Sequence, residues 1–137
     1  MSGKTFIDTV FVVALINQRD QYHERAAELA ESFEGRQFLI TDALLLEIAN
    51  ALARKFRAQA AEVIEYFLSS GDVEVVRLTP DLFDEAFALY QAHQDKAWGL
   101  TDCVSFVAMR RAGIQEAITF DQHFVQAGFR ALMREDE

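Results

Sequence analysis

The chain has 137 residues, a net charge of −9, 51% hydrophobic residues, twelve Phe, one Pro and one Cys. That length and composition exclude disorder and suit one domain with a sizeable core, and the lone Cys103 excludes an internal disulfide and fits a reducing cytosol. The negative charge speaks against non-specific nucleic-acid binding, which needs cations facing phosphates, unless several acids are gathered around a metal ion.

At the N-terminal end, "FIDTVFVVALINQRD" contains an apolar run that Asp8 interrupts and that ends by Ile16. It is too short to span a bilayer, and no small-residue cleavage pattern follows it, so a cytoplasmic protein without a membrane span is expected. Residues 4–9, "KTFIDT", read as a short strand and 10–16 as a buried helix. After the polar break Arg19-Asp20-Gln21, residues 22–35 carry Ala26, Leu29, Ala30 and Phe33 at helical spacing, with Gly35 as the stop. Residues 37–41 are strand-like. Thr41 or Asp42 caps a helix predicted over 42–57, which buries Leu44, Leu45, Ile48, Leu52 and Phe56.

A further helix over 60–70 ends near Gly71, and the β-branched run 73–79 predicts a strand. Thr79-Pro80 is a cap followed by Pro at the first helical position, and that helix runs to about Gln94. Beyond the loop "DKAWG", Thr101 is expected to cap a mostly apolar helix that stops at Gly113. A strand over 116–120, a short helix over 121–128 and a last strand over 129–133 complete the chain. No repeat, low-complexity segment or linker interrupts it, so one domain over 1–137 is expected. Strands alternating with helices predict an α/β fold: a parallel sheet with right-handed crossovers and helices on both faces.

In open parallel sheets, ligands bind beyond the carboxyl ends of the strands. Asp8 ends the first strand, Asp121 follows the strand "EAITF", and Asp102 opens a helix that must start on the same rim. Glu47 lies inside a helix. There Glu47, Asn50, Arg54 and Arg57 fall on one predicted face, opposite the apolar set, with the acid nearest the rim. Four converging carboxylates repel one another and raise each other's pKa, and a divalent cation reverses that cost. Oxygen ligands suit Mg²⁺ or Mn²⁺. His23, His93 and His123 share no zinc-like spacing with Cys103, which points away from zinc.

At these residues the chain resembles the PIN-domain ribonucleases, and within them the VapC-like toxins of bacterial toxin–antitoxin pairs. The matching pieces are "FIDT" with Asp8, "LLLEIAN" with Glu47 and Asn50, "LTDCVSFVAMR" with Asp102, and "AITFDQHF" with Asp121. The likeness runs from Lys4 to Leu132. One departure is Val10, where many relatives carry Ser or another small polar residue, so hydroxyl help near Asp8 falls to Thr9. The resemblance implies a three-layer α/β/α sandwich with strand order 3-2-1-4-5, metal-dependent cleavage of single-stranded or looped RNA, a small antitoxin partner and, commonly, a homodimer.

On this basis Asp8 and Asp102 are expected to hold the metal, with Glu47 and Asp121 completing the site through water or a second ion. Metal-activated water would then attack the phosphodiester in line, with no His or Lys base. Thr101 and Thr119 are candidates to orient the acids, and Asn50 to position water or phosphate. Arg54, Lys55 and Arg57 form the densest basic cluster, suited to an RNA backbone or to an acidic partner.

Each residue taken alone has a plainer account. Asp102 suits the helix dipole, Asp121 a helix cap, Glu47 and the Arg54–Arg57 cluster a solvated face, and His123 a structural or solvated role. The four acids in matching order and context favour the metal site. Phosphoryl transfer through an aspartyl intermediate fails locally, since Thr9 and Val10 follow Asp8 where a second Asp is needed. A phospho-receiver domain would need an acid pair beside the first strand and a Lys after a late strand, and neither is evident. The remaining alternative is a PIN-like module that binds RNA or a partner without cutting.

Overall fold

A computed structural model describes residues 3–135. The outermost positions of the expected domain, 1–2 and 136–137, lie outside the described residues. In chain order the elements are β1 (Lys4–Ile7), α1 (Thr9–Ile16), α2 (His23–Ser32), β2 (Gln37–Thr41), α3 (Asp42–Ala51), α4 (Arg57–Ser69) and β3 (Val73–Val76). There follow α5 (Pro80–Ala92), α6 (Leu100–Ala112), β4 (Glu116–Ile118), α7 (Gln122–Gln126), β5 (Arg130–Ala131) and a 3₁₀ turn, Leu132–Arg134.

All four strand pairings are parallel and the order is β3-β2-β1-β4-β5. The chain steps outward from β1 to β3 and returns across the sheet to β4. With right-handed crossovers, that reversal puts helices on both faces and makes the β1/β4 junction the switch point where a crevice opens. Phe6 and Ile7 of β1 lie opposite Ala117 and Ile118 of β4 there.

The helix boundaries follow local chemistry. Thr41 Oγ1 accepts from Leu44 N at 3.3 Å and Thr79 Oγ1 from Leu82 N at 3.2 Å, so both expected hydroxyl caps form. Gly113 ends α6 at φ 70°, a left-handed conformation that favours glycine. Seven consecutive residues of α6, Cys103 to Met109, are buried, so this helix is enclosed rather than amphipathic. It packs on α5, β2, α3 and α7.

Three expectations need correction. The helix predicted over 42–57 ends at Ala51, and residues 52–55 form a turn before α4. Leu52 and Phe56 pack into the core there, and their burial outweighs the helix propensity of "LARK". Thr101 is not the cap of α6: Gly99 is, in extended conformation, and its N–H is taken by Asp102 Oδ2 at 3.0 Å. The last strand keeps two residues, because Met133 N turns back to Thr119 O at 3.1 Å and draws the chain into the 3₁₀ turn.

An aromatic cluster sets the α6–α7 geometry. Phe106 meets Phe124 edge-on at 5.1 Å, Trp98 edge-on at 5.1 Å and Phe129 at 5.7 Å, while Phe124 also faces Phe6 of β1 at 6.1 Å. Trp98 additionally donates Nε1–H to Gln126 Oε1 at 3.0 Å. Deleting a buried Phe of this kind costs about 3–5 kcal/mol, so the cluster fixes the first turns of α6 and α7 against β1.

Candidate metal centre

Asp8 stands between β1 and α1. It occupies the N-cap position but makes no side-chain cap bond, so its carboxylate is free for other partners. Thr119, fully buried just after β4, donates its hydroxyl to Asp8 Oδ2 at 2.7 Å and accepts Asp121 N–H at 3.0 Å. One hydroxyl thus ties the first acid to the backbone of the last across the switch point.

Asp8 is 6% exposed, and burial pushes its pKa from 3.8 up to about 7. The bonds from Thr119 and the Thr9 backbone pull against that rise, while the charges of Asp121 and Asp102 add to it. Thr119, bonded to Asp8 and to the Asp121 N–H, and His123, in contact with Asp102 and Asp121, bring three of the four predicted acids together.

Asp102 sits in the first turn of α6 and Asp121 caps α7, accepting His123 N–H at 2.8 Å. With Asp8 at the head of α1, all three acids stand at helix N-termini, whose dipoles offset part of their mutual repulsion. Glu47 arrives differently. It is exposed on α3, and Thr9 Oγ1 donates to its Oε1 at 2.9 Å, which ties it to the residue beside Asp8. Thr9 therefore serves Glu47 with its side chain and Asp8 with its backbone.

The other predicted residues divide. Asn50 is exposed at the end of α3 and lines a hollow of about 500 Å³ with Val13, Asn17, Arg54, Lys55 and Phe56. Arg57 leaves this group, because it opens α4 rather than extending the α3 stripe. Among the described residues no hydrogen bond joins the Thr101 hydroxyl to an acid of the centre, whereas Thr119 makes two bonds there.

His123 is the residue that sequence spacing missed. Its Nδ1 lies 3.0 Å from Asp102 Oδ2 and 3.4 Å from Asp121 Oδ1. One donor atom from each of Asp102, Asp121 and His123 falls within 4.8 Å of the others. The signal available was Asp-x-His at a helix start: when Asp121 caps the N–H two residues on, that residue's side chain is held beside the acid.

The donor set fits a hard divalent cation. Carboxylate oxygens dominate it, and an ionised Asp8 is disfavoured there first by burial and then by the charges of Asp121 and Asp102, a cost that a cation would offset. No helix among the described residues is long and apolar enough to cross a membrane.

Comparison with known proteins agrees with this fold. A family model described as "PIN domain" matches residues 5–130. The 23S rRNA-specific endonuclease VapC20 of Mycobacterium tuberculosis is 33% identical over 124 residues, 90% of this chain and 94% of that protein. The crystal structure of that organism's VapC20, described as a sarcin–ricin loop cleaving toxin, superposes with a TM-score of 0.83 at 32% identity, over 91% of this chain and 95% of that one. VapBC2 from Rickettsia felis, bound to a DNA fragment from their promoter, superposes with a TM-score of 0.67 over 93% and 96% of the two chains, and at 14% identity it speaks for the fold alone. Strand order, the acids gathered at the switch point and a family match over most of the sequence converge: the chain belongs to the PIN-domain family.

Proposed function

We propose that this chain, as a single PIN domain over 1–137, is a metal-dependent endoribonuclease and the toxin of a cytoplasmic toxin–antitoxin pair. The observation that carries it is the convergence of Asp8, Asp102 and Asp121 at the β1/β4 switch point, with Glu47 tied in through Thr9. Asp8 and Asp102 would hold Mg²⁺ or Mn²⁺, and Glu47 and Asp121 would complete the site. The bound cation supplies a water of lowered pKa and neutralises charge growing on the phosphate. Thr119 fixes the orientation of Asp8, and Gly99 N–H fixes that of Asp102. Arg54 and Lys55, in the hollow beside the turn that follows α3, suit the RNA backbone.

The activity of VapC20 makes looped ribosomal RNA the substrate class to try first. The apolar hollow of about 270 Å³ lined by Phe11, Leu15, Phe33, Val63 and Phe67 among others has room for an apolar side chain projecting from a helical antitoxin segment. The test is cleavage of a sarcin–ricin loop fragment and of total RNA with Mg²⁺ or Mn²⁺, with and without chelator, beside Asp8→Asn and Asp102→Asn. Metal-dependent cleavage that both variants lose is expected. Equal cleavage by all three proteins would sink the mechanism. Intact RNA in every lane, over a broad substrate set, would favour a PIN-like module that binds without cutting.

A further inference from the structure

His123 stands among the acids without being one. It is half-buried on α7, its ring Nδ1 reaches Asp102 Oδ2 at 3.0 Å, and Asp121 Oδ1 lies 3.4 Å from the same nitrogen. Its proximity admits two roles, as a nitrogen ligand to the cation or as a donor to the carboxylates.

The hydrogen bonds decide between them. Asp102 Oδ2 already accepts Gly99 N–H at 3.0 Å, so it presents lone pairs, not a proton. Asp121 Oδ1 likewise accepts His123 N–H at 2.8 Å. An unprotonated Nδ1 at 3.0 Å from Asp102 Oδ2 would set lone pair against lone pair. The ring hydrogen therefore sits on Nδ1, and a nitrogen carrying its hydrogen cannot also ligate a metal. Asp102 Oδ1 and Asp121 Oδ2 take no side-chain hydrogen bond among the described residues and remain for the cation.

We propose that His123 is a positioning residue: its Nδ1–H holds Asp102 of α6 while its backbone N–H holds Asp121 of α7, so that the outer oxygens of both acids are kept for a divalent ion. This rests on the metal-centre reading given under Proposed function. The clamp spans two separate helices: the aromatic cluster of Phe106 and Phe124 sets their spacing, and the imidazole fixes the orientation of the carboxylates at their tips. Partners of this kind, one bond removed from the ion, typically change metal affinity by about 10- to 100-fold when removed.

The test is Mn²⁺ binding to the RNA-free protein, read by titration calorimetry and by the electron paramagnetic resonance of free Mn²⁺, for wild type, His123→Ala, His123→Asn and His123→Gln. The Asn amide N–H falls close to the place of Nδ1–H, and that of Gln falls one bond beyond it. Affinity about 10- to 100-fold weaker is expected for Ala and Gln, with Asn within a few-fold of wild type. The melting temperature of each variant in chelator separates this from a fold defect: a lower melting temperature with unchanged Mn²⁺ affinity would overturn the clamp. Pulsed resonance of the Mn²⁺ complex should show no directly bound nitrogen. A nitrogen coupling that vanishes in His123→Ala would overturn the clamp in favour of ligation. If wild type binds and Ala binds equally well, the clamp alone fails. If wild type binds no Mn²⁺, the metal centre fails and the clamp with it.

Discussion

Replacing Asp8 by Asn should change how the stability of the metal-free protein depends on pH. In the fold, burial raises the Asp8 pKa from 3.8 to about 7. Between those values the folded protein holds a proton that the unfolded chain has released, so stability falls as pH rises through this window. Each tenfold change in proton affinity is worth about 1.4 kcal/mol, so the ionised carboxylate costs the metal-free fold roughly 4 kcal/mol above pH 7. The Asn variant carries no such charge. It has one acceptor oxygen for two donors, Thr119 O–H and Thr9 N–H, and leaving one unpaired costs about 1–3 kcal/mol.

The sequence pI of about 4.7 makes work near pH 4–5 prone to precipitation, so urea unfolding in chelator is best followed from pH 5.5 to 8. The upper part of the window, about pH 5.5 to 7, falls within that range, and across it the stability of wild type should fall relative to Asn by roughly 2 kcal/mol. The difference between the two proteins cancels groups that titrate in both. A difference that stays constant from pH 5.5 to 8 would refute the burial-raised pKa of Asp8.

Three further outcomes are expected. Millimolar Mg²⁺ or Mn²⁺ should raise the melting temperature of wild type at pH 8 and leave Asp8→Asn and Asp102→Asn nearly unmoved; at one hundred times the dissociation constant the gain is about 2.7 kcal/mol, and calorimetric scans showing no shift at such concentrations would count against the site. Thr119→Val removes the 2.7 Å bond to Asp8 and the acceptor for Asp121 N–H, and should cost about 1–3 kcal/mol by urea unfolding, with Thr119→Ser recovering most of it. Equal stability of the Val and Ser proteins would show that the hydroxyl is dispensable. Ser105 Oγ is buried in α6 with no hydrogen-bond partner among the described residues, so Ser105→Ala should stabilise the protein by about 1 kcal/mol, and a lower urea midpoint would contradict this.

The parts of the fold legible in sequence were those fixed by local chemistry. Thr79-Pro80 and Gly113 announce a helix start and a helix stop, and the structure places both there. Asp8 and Asp121 could be placed on the rim because each follows a strand directly. The misread parts depend on distant contacts. Nothing in "ANALARKFR" forbids helix, and α3 ends because Leu52 and Phe56 find the core, which moves Arg57 off the predicted stripe. Thr101 looked like the cap because hydroxyl residues usually are. Here Gly99 occupies the cap position, and Asp102 takes its N–H from inside the helix. The role of Thr9 shows the same limit. Sequence placed its hydroxyl near Asp8, and the structure gives it to Glu47, 38 residues on.

The centre is held together mainly by groups that are not acids. Thr119 joins Asp8 to the backbone of Asp121, Thr9 joins Glu47 to the head of α1, and His123 joins Asp102 to Asp121. Each acid is thus hydrogen-bonded on one side. Orientation must come from such bonds here, because like charges supply only repulsion, and the rigid elements beneath them set no more than position. The apolar shaft of α6 behind Asp102 serves position. With seven buried residues in a row it cannot rotate or slide, so Asp102 stays near Asp8 and its charge adds a small part to the rise that burial gives the Asp8 pKa, a cost that a cation would offset.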